Sequence, residues 1–178
     1  MPRDYLQVIA QLDLTSVLQG YQYTIIGTPP LEIDIDSSDL DIACQADDPA
    51  VLSRHLRHCY GHYPDYLEKE YHFSSLSARI VTFEMQEWPV EFFIQNQPLS
   101  QQNGVRHFAI EKRLLDLCGP SFKQSVIALK NRGIKTEPAF AELLGIKGDP
   151  YINLLKLENC SDSQLRGLYF SRENPGHM

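Results

Sequence analysis

The fold of this chain is decided by Gly27-Thr28 and by the stretch Ser38-Asp39-Leu40-Asp41-Ile42 that follows it. Before the glycine, Tyr23-Thr24-Ile25-Ile26 is a run of β-branched and aromatic residues. Such a run predicts a buried strand, and the glycine predicts the turn that ends it. The sequence therefore places a glycine and a hydroxyl in a turn that precedes a second strand carrying two carboxylates.

The second strand presents its two aspartates on one face. Asp39 and Asp41 alternate with Leu40 and Ile42, and side chains on a strand alternate between its faces. The apolar face can join the core while the acidic face lines a cleft. Residues two apart on a strand lie roughly 6–7 Å apart at Cα, so both carboxylates can reach metal ions about 3.5–4 Å from each other. Magnesium prefers such oxygen ligands, together with phosphate oxygens and water.

A third acid follows in Trp88-Pro89-Val90-Glu91-Phe92-Phe93-Ile94, a stretch that is typical of a strand. Glu91 stands between apolar neighbours, where an acid is costly unless it is paired or bound to a metal. One interpretation makes it a third metal ligand. The alternative is a glutamate on an edge strand that faces water or meets an arginine, and the strand pattern leaves both open.

The remaining elements follow from periodicity and from glycine and proline punctuation. Helical spacing predicts a helix over 4–18, with a weak break near Leu14-Thr15. The predicted strands lie near 21–27, 39–45, 66–73, 77–86 and 89–95, the last two joined by a turn at Gln86-Glu87. Further helices are predicted over 50–60, 104–117, 120–132, 137–144, 150–157 and 161–170. This order predicts an α+β protein, with a mixed β-sheet lobe at 1–98 followed by a helical lobe at 99–178, which could form one compact domain.

Charge is distributed unevenly along the chain, whose net charge is -7. Residues 1–103 carry 5 basic and 15 acidic side chains, whereas residues 104–135 carry 7 basic and 2 acidic ones. An acidic lobe that could bind metal thus precedes a basic segment that could face phosphate. The overall acidity argues against nucleic acid as a partner. Four residues of this segment could face phosphate or solvate helix surfaces, and for most of them solvation is expected: Lys112, Arg113, Lys123 and Lys130.

The chain shows no sign of export or membrane insertion. No stretch approaches the ~18 apolar residues of a membrane span, and the first residues lack the apolar core of a signal peptide. The four cysteines form no Cys-x-x-Cys pair, so free thiols are expected. These features predict a cytoplasmic protein without a membrane partner.

The two aspartates and the turn before them carry a resemblance. Gly27-Thr28, then ten residues, then Asp39-Leu40-Asp41-Ile42 resembles the signature of the nucleotidyltransferase superfamily, the polymerase-beta-like fold. In that superfamily a glycine-serine pair precedes an Asp-apolar-Asp strand, and a later strand supplies a third acid, the position that Glu91 fits. The chain also resembles an uncharacterised bacterial family of that superfamily, a domain of unknown function, from about residue 21 to about residue 157. The matching stretches are 26–30, 34–42, 106–111, 133–140 and 148–151.

The resemblance implies a metal-dependent nucleotidyltransferase that moves a nucleoside monophosphate from a nucleoside triphosphate to an acceptor. It implies that the catalytic residues, which also hold Mg²⁺ or Mn²⁺, are Asp39, Asp41 and Glu91. The residues expected to bind nucleotide are Gly27, Thr28, Ser38, His107 and Lys135. The acceptor is expected to be a small molecule or a protein.

Two of these residues have structural alternatives. Lys135 precedes the start of a predicted helix, where it could bind an anion, or it could solvate the surface. His107 could contact a phosphate, or it could pack and form hydrogen bonds inside the protein.

The turn departs from the superfamily pattern in two ways. Thr28 stands where serine is usual, although either hydroxyl can donate to phosphate. Pro29-Pro30 follows, and because proline has no backbone N–H, fewer amides can reach a phosphate. This departure favours a competing hypothesis, a binding or regulatory module that keeps the fold without the chemistry.

Overall fold

The computed structural model describes residues 4–73 and 76–173. The chain divides into two compact units. One comprises Met1–Glu32 and Ser37–Val105, and the other comprises Ile33–Asp36 and Arg106–Met178. The first contains the β-sheet and the second is mainly helical, which confirms the predicted α+β class. The predicted lobes 1–98 and 99–178 stay a prediction.

The sheet of the first unit has five strands in the order β1-β2-β5-β4-β3. Its strands are β1 Gln22–Ile26, β2 Leu40–Gln45, β3 Leu67–Phe73, β4 Leu76–Met85 and β5 Trp88–Gln95. Strands β2 and β5 run parallel, and the other neighbours are antiparallel, so the sheet is mixed as predicted. The predicted turn at Gln86-Glu87 joins β4 to β5, and both residues adopt positive φ, as two-residue hairpin turns of type I′ require.

One face of the sheet packs on the helices of the first unit. These helices are α1 Tyr5–Leu12, α2 Leu14–Val17 and α3 Pro49–Tyr60. Helix α3 begins as predicted, because the side chain of Asp48 caps it by accepting from the Ala50 amide. The core cluster includes Leu12, Leu40, Ile42, Leu52, Leu56, Phe92 and Ile94. The apolar residues of the Asp-Leu-Asp-Ile stretch therefore face the core, as their alternation predicts.

Helix α1 is shorter than the sequence predicts. A helix over 4–18 was expected, with a weak break near Leu14-Thr15, whereas the structure separates α1 from α2 at Asp13. The backbone of Asp13 is left-handed, with φ at 47°, and a helix cannot continue through such a residue.

Helix α4 Asn103–Asn131 begins in the first unit and continues into the second at Arg106. The second unit also contains α5 Thr136–Leu144, α6 Pro150–Leu155 and α7 Asp162–Glu173. Helix α4 is kinked at Gly119, whose φ of 79° and ψ of -168° are not helical, and Pro120 follows it. The two helices predicted over 104–117 and 120–132 therefore join end to end across this kink. Phe122 packs edge to face on Phe140 and Tyr169, with ring centroids 5.5 Å and 4.9 Å away.

Two further expectations concern cysteines and membranes. Cys44, Cys59, Cys118 and Cys160 are free thiols, as predicted. Across residues 4–73 and 76–173, no helix has the length and apolar character needed to cross a membrane.

Candidate functional site

Asp41 and Glu91 lie side by side on neighbouring strands. The parallel ladder of β2 and β5 pairs these two residues, and paired residues on adjacent strands point to the same face, about 4.8 Å apart. Both side chains are half-buried. Strand β5 lies between β2 and β4, so the alternative of a glutamate on an edge strand does not hold. The structure thus brings together two acids that are fifty residues apart in the sequence.

Asp39 is within electrostatic range of Glu91. It is exposed and immediately precedes β2. The pKa of the Glu91 carboxyl is raised, first by burial and then by the negative charge of Asp39, while the positive charge of Lys69 lowers it. Burial and the neighbouring carboxylate both disfavour the charged form of Glu91, and a bound cation would offset both effects.

The glycine turn approaches the second aspartate closely. Strand β1 pairs antiparallel with β2 so that Ile26 lies opposite Asp41, and Gly27 follows with a φ of 82°. A Cβ added at Gly27 would overlap the Oδ2 atom of Asp41 and would lie 3.2 Å from its Cγ. Glycine is favoured here for two separate reasons, the left-handed backbone and the space that the carboxylate occupies.

The loop after the glycine is closed by two hydroxyls. The Oγ1 atom of Thr28 donates to Oγ of Ser38 at 3.0 Å, and Ser38 is buried. Pro29–Leu31 forms a 3₁₀ helix that begins directly after Thr28. Prolines are well tolerated in a first helical turn, because their missing N–H would have no helical partner there. Pro29-Pro30 therefore shapes a loop that places two hydroxyls beside each other.

The chemistry of these acids fits a hard cation, but their side chains do not form a ligand set. Among the residues that the structure describes, no group of three or more His, Cys, Asp or Glu is arranged to hold a metal. The backbone nevertheless pairs Asp41 with Glu91, and Asp39 is electrostatically coupled to Glu91. Carboxylate oxygens are the donors that Mg²⁺ takes from proteins. The metal site stays a prediction, supported by the positions of the strands.

His107 and Lys135 both lie in the helical unit. The Nε2 atom of His107 is 2.8 Å from the Tyr151 carbonyl oxygen, and its Nδ1 is 3.5 Å from Oε1 of Glu137. This buried histidine is therefore engaged inside its own unit. Lys135 is exposed at the N-cap position of α5. The nucleotide-binding roles of both residues stay predictions.

Two buried charged residues of α4 were missed by the sequence reasoning. Lys130, expected on a solvated surface, is only 5% exposed, and Glu111 is 4% exposed. Helical spacing carries the missing signal, because Lys130 stands four residues after the buried Val126 and Glu111 stands three before the buried Leu114. Burial raises the pKa of Glu111 well above its ordinary value, the charge of Glu137 adds to this, and Lys130 opposes it.

Residues 7–157 match the DUF4269 family, described as a domain of unknown function. The chain belongs to this family. The matched span contains the glycine turn, all three acids, His107 and Lys135. A comparison with curated proteins found no match.

Solved structures with a similar fold include nucleotide-polymerising enzymes. A mutant of the Cid1 poly(U) polymerase bound to MgATP matches with a TM-score of 0.54 at 11% identity, over 86% of this chain and 49% of that one. The GLD-2/RNP-8 complex matches with a TM-score of 0.55 at 12% identity, over 97% and 64%. The polymerase core of TRAMP, an RNA surveillance complex, matches with a TM-score of 0.51 at 12% identity, over 88% and 50%.

These similarities show the fold alone. The chain has a nucleotidyltransferase-like fold, a mixed sheet with helices, as the Gly-Thr and Asp-Leu-Asp pattern predicts. It spans about half the length of the Cid1 and TRAMP structures that it matches.

Proposed function

We propose that this chain is a metal-dependent nucleotidyltransferase that moves a nucleoside monophosphate from a nucleoside triphosphate to a hydroxyl of an acceptor. One observation carries the proposal: the parallel pairing of Asp41 with Glu91 on the sheet face that meets the glycine turn. The nucleotidyltransferase-like fold supports the same reaction class. Fold similarity alone does not establish an activity, whereas the placement of these acids beside the glycine turn supports one.

The acids would hold the cation, and the loop would hold the triphosphate. Asp39, Asp41 and Glu91 would bind one or two Mg²⁺ or Mn²⁺ ions, which supply positive charge to the phosphates. The amide of Gly27 would donate to a phosphate oxygen. Ser38 accepts the single hydroxyl proton of Thr28 in this structure, so Thr28 would exchange that bond for one to a phosphate oxygen when the triphosphate binds.

The transfer step forms one P–O bond and breaks another. The acceptor hydroxyl attacks the α-phosphorus, the bond between the α-phosphorus and the bridging oxygen breaks, and pyrophosphate leaves with that oxygen. Glu91 would either complete the metal site, with the proton of the attacking hydroxyl passing to water, or accept that proton itself. Its raised pKa suits the second role, because burial and Asp39 strengthen its hold on a proton.

The acceptor class is broader than the sequence reasoning expected. Net acidity argued against nucleic acid, but similar folds include a structure named as a cytoplasmic RNA terminal U-transferase, at a TM-score of 0.51 and 12% identity. The comparisons therefore do not support that exclusion, and an RNA end stands beside small molecules and proteins as a candidate. A bacterial source and a cytoplasmic location stay predictions.

Calorimetry followed by a transfer assay tests the proposal. ATP, GTP, CTP and UTP are titrated into the protein with and without Mg²⁺, and the nucleotide that binds is supplied with an α-phosphate label. We expect binding of at least one triphosphate that requires the metal, followed by pyrophosphate release and labelled product with a suitable acceptor. Silent titrations for all four nucleotides in Mg²⁺ and in Mn²⁺ would contradict the proposal.

A second candidate is the module that binds a partner without catalysis. The absence of a three-ligand metal group among residues 4–73 and 76–173 favours it, as does the loss of two amide donors at Pro29-Pro30. It predicts silent titrations together with recovery of a specific partner protein. Pyrophosphate release that disappears in Asp41→Asn would exclude it.

A further inference from the structure

The loop that carries the two hydroxyls is anchored at its centre. Ile33 lies midway between Thr28 and Ser38 and is 0% exposed, although Glu32 and Asp34 beside it are exposed. Glu32 has a left-handed backbone with φ at 55°, which turns the chain inward before Ile33. When the central residue of a loop is buried, its backbone N–H and C=O groups are buried with it and need hydrogen-bond partners.

The partner is the ammonium group of Lys130. Its Nζ donates to the carbonyl oxygen of Ile33 at 2.9 Å, in a bond that is buried and joins residues 97 apart in the sequence. The segment Ile33–Asp36 correspondingly belongs to the helical unit, whereas the chain on either side of it belongs to the unit with the sheet.

This contact depends on the charged donor that lysine supplies. A buried ammonium group must be satisfied by hydrogen bonds, because it has lost its water. The Ile33 carbonyl accepts one such bond, and the carboxyl of Glu111 lies within electrostatic range of Lys130. A hydrogen bond from a charged donor is stronger than a neutral one, so this bond restrains the loop more than a backbone contact would.

We propose that Lys130 is a positioning residue for the nucleotide site, holding the loop 28–38 through Ile33 so that the hydroxyls of Thr28 and Ser38 stay in place. The proposal rests on the proposed function, because the loop is where the triphosphate would bind.

The loop is restrained at three levels. At its ends, Thr28 Oγ1 donates to Ser38 Oγ, and within its first turn the amide of Glu32 donates to the Pro29 carbonyl at 2.9 Å. Lys130 restrains the middle. Without that bond the loop samples more conformations, and nucleotide binding must then order it at a cost in free energy. The defect should therefore appear in nucleotide affinity and KM more than in kcat.

Three variants separate positioning from a general effect of charge. Lys130→Met keeps the aliphatic stem and removes the ammonium. Lys130→Arg keeps the charge but changes the geometry of the donors. Lys112→Met is the matched control, because it removes an exposed lysine from the same helix, where the side chain only pairs with Asp116. Each variant is measured by amide hydrogen exchange without nucleotide and by the dissociation constant for the Mg²⁺ complex of the triphosphate that the wild type binds.

In Lys130→Met we expect the amides of residues 33–38 to exchange at least about tenfold faster while those of β2 and β5 do not change, and the nucleotide to bind about tenfold more weakly. Lys130→Arg should lie between the wild type and Lys130→Met in both the exchange rate and the nucleotide affinity. Lys112→Met should match the wild type in both. Unchanged exchange in a folded Lys130→Met protein would overturn the proposal. Faster exchange with unchanged affinity would also overturn it, since the loop would then be anchored without effect on the site.

Two outcomes remain distinguishable from these. If the wild type binds no triphosphate, the proposed function fails, and with it the positioning role, while hydrogen exchange still tests the anchor. If Lys130→Met does not fold, the wild type is labelled with ¹⁵N-lysine. Slow exchange of the Lys130 ammonium protons, with a signal that disappears in Lys130→Arg and survives in Lys112→Met, supports the anchor, and a rapidly exchanging ammonium overturns it.

Discussion

Glu91 and Glu111 make an instructive pair, because their surroundings contain the same three parts. For each, burial raises the pKa, a second acid raises it further, and a lysine opposes the change. The second acid and the lysine are Asp39 and Lys69 for Glu91, and Glu137 and Lys130 for Glu111. What differs is access to solvent, since Glu91 is half-buried on a face of the sheet and Glu111 is 4% exposed inside a helical unit.

Access to solvent decides whether each of these glutamates can bind a ligand. Glu91 lies beside Asp41 and can receive a cation from solvent, so its unfavourable charge can be relieved by a ligand. The Oε1 atom of Glu111 is buried without a hydrogen-bond partner, and the lysine that opposes its pKa shift bonds the Ile33 carbonyl. The first arrangement favours binding and catalysis, and the second favours holding a segment in place.

The largest expected effect comes from the aspartates near Glu91. Asp39→Asn and Asp41→Asn should each lower metal-dependent nucleotide transfer by roughly 10³-fold or more, because the carboxylate charge that binds the cation is lost. Asp47→Asn is the control, since that exposed acid lies beyond the other end of β2. Turnover is measured from pyrophosphate release. Activity that survives in either site variant removes these acids from the mechanism.

The next effect concerns the space beside Asp41. Gly27→Ala should destabilise the protein by more than Gly20→Ala, by about 1–3 kcal/mol. Both glycines have positive φ, at 82° and 87°, but a Cβ at Gly20 meets nothing within 4 Å, whereas one at Gly27 overlaps the carboxylate. Both variants carry the strain of a left-handed backbone, so the difference between their free energies of unfolding in urea gives the cost of the overlap with Asp41. Equal losses would show that Asp41 moves aside at no cost.

A third test compares the two glutamates by their effect on stability at different pH. A carboxyl whose pKa is higher in the folded state stabilises the protein below its unfolded pKa, and that contribution is lost as pH rises through the folded pKa. Stability should therefore fall as pH increases above about 4.3, the ordinary value for glutamate. Glu111→Gln should remove more of this slope than Glu91→Gln, because Glu111 is more deeply buried.

Chemical denaturation between acidic and mildly alkaline pH measures that slope. Glu142→Gln, on an exposed residue of α5, serves as the control and should leave the slope unchanged. A Glu111→Gln protein with the slope of the wild type would show that the buried carboxyl does not resist ionisation.

The smallest effect concerns the hydroxyl pair. Thr28→Val should cost about 0.5–1.5 kcal/mol of stability, the net value of one hydrogen bond, and should also weaken nucleotide binding. Thr28→Ser keeps the hydroxyl and should retain both the stability and the nucleotide affinity of the wild type. Urea unfolding and calorimetry measure the two quantities. If Thr28→Val binds nucleotide as well as Thr28→Ser, the hydroxyl has no role in binding.

The sequence was sufficient for the fold because its local signals agree with one another. Alternation over Leu40 and Ile42, the Asp48-Pro49 helix start and the turn at Gln86-Glu87 each specify structure within a few residues. The break at Asp13 was weaker, because aspartate is not strongly excluded from helices and only its left-handed backbone separates α1 from α2.

The site was only partly predictable for a physical reason. The period of a strand predicts that Asp39 and Asp41 share a face, whereas β2 begins only at Leu40, directly after Asp39. The parallel pairing that brings Glu91 beside Asp41 is a long-range contact without a local signal. The same holds for the contact between Lys130 and Ile33. Helical spacing could have indicated that Lys130 is buried, but no feature of the nearby sequence indicates that it bonds to Ile33.

The most direct test of the central claim is the position of a bound cation. A crystal of the protein is soaked with Mn²⁺ and a non-hydrolysable nucleoside triphosphate, and the anomalous signal of manganese locates the metal. We predict a peak coordinated by the carboxylates of Asp41, Glu91 and Asp39, with the triphosphate against Gly27 and Thr28. Nucleotide or manganese bound elsewhere, with the Asp41–Glu91 pair free of metal, would contradict the account.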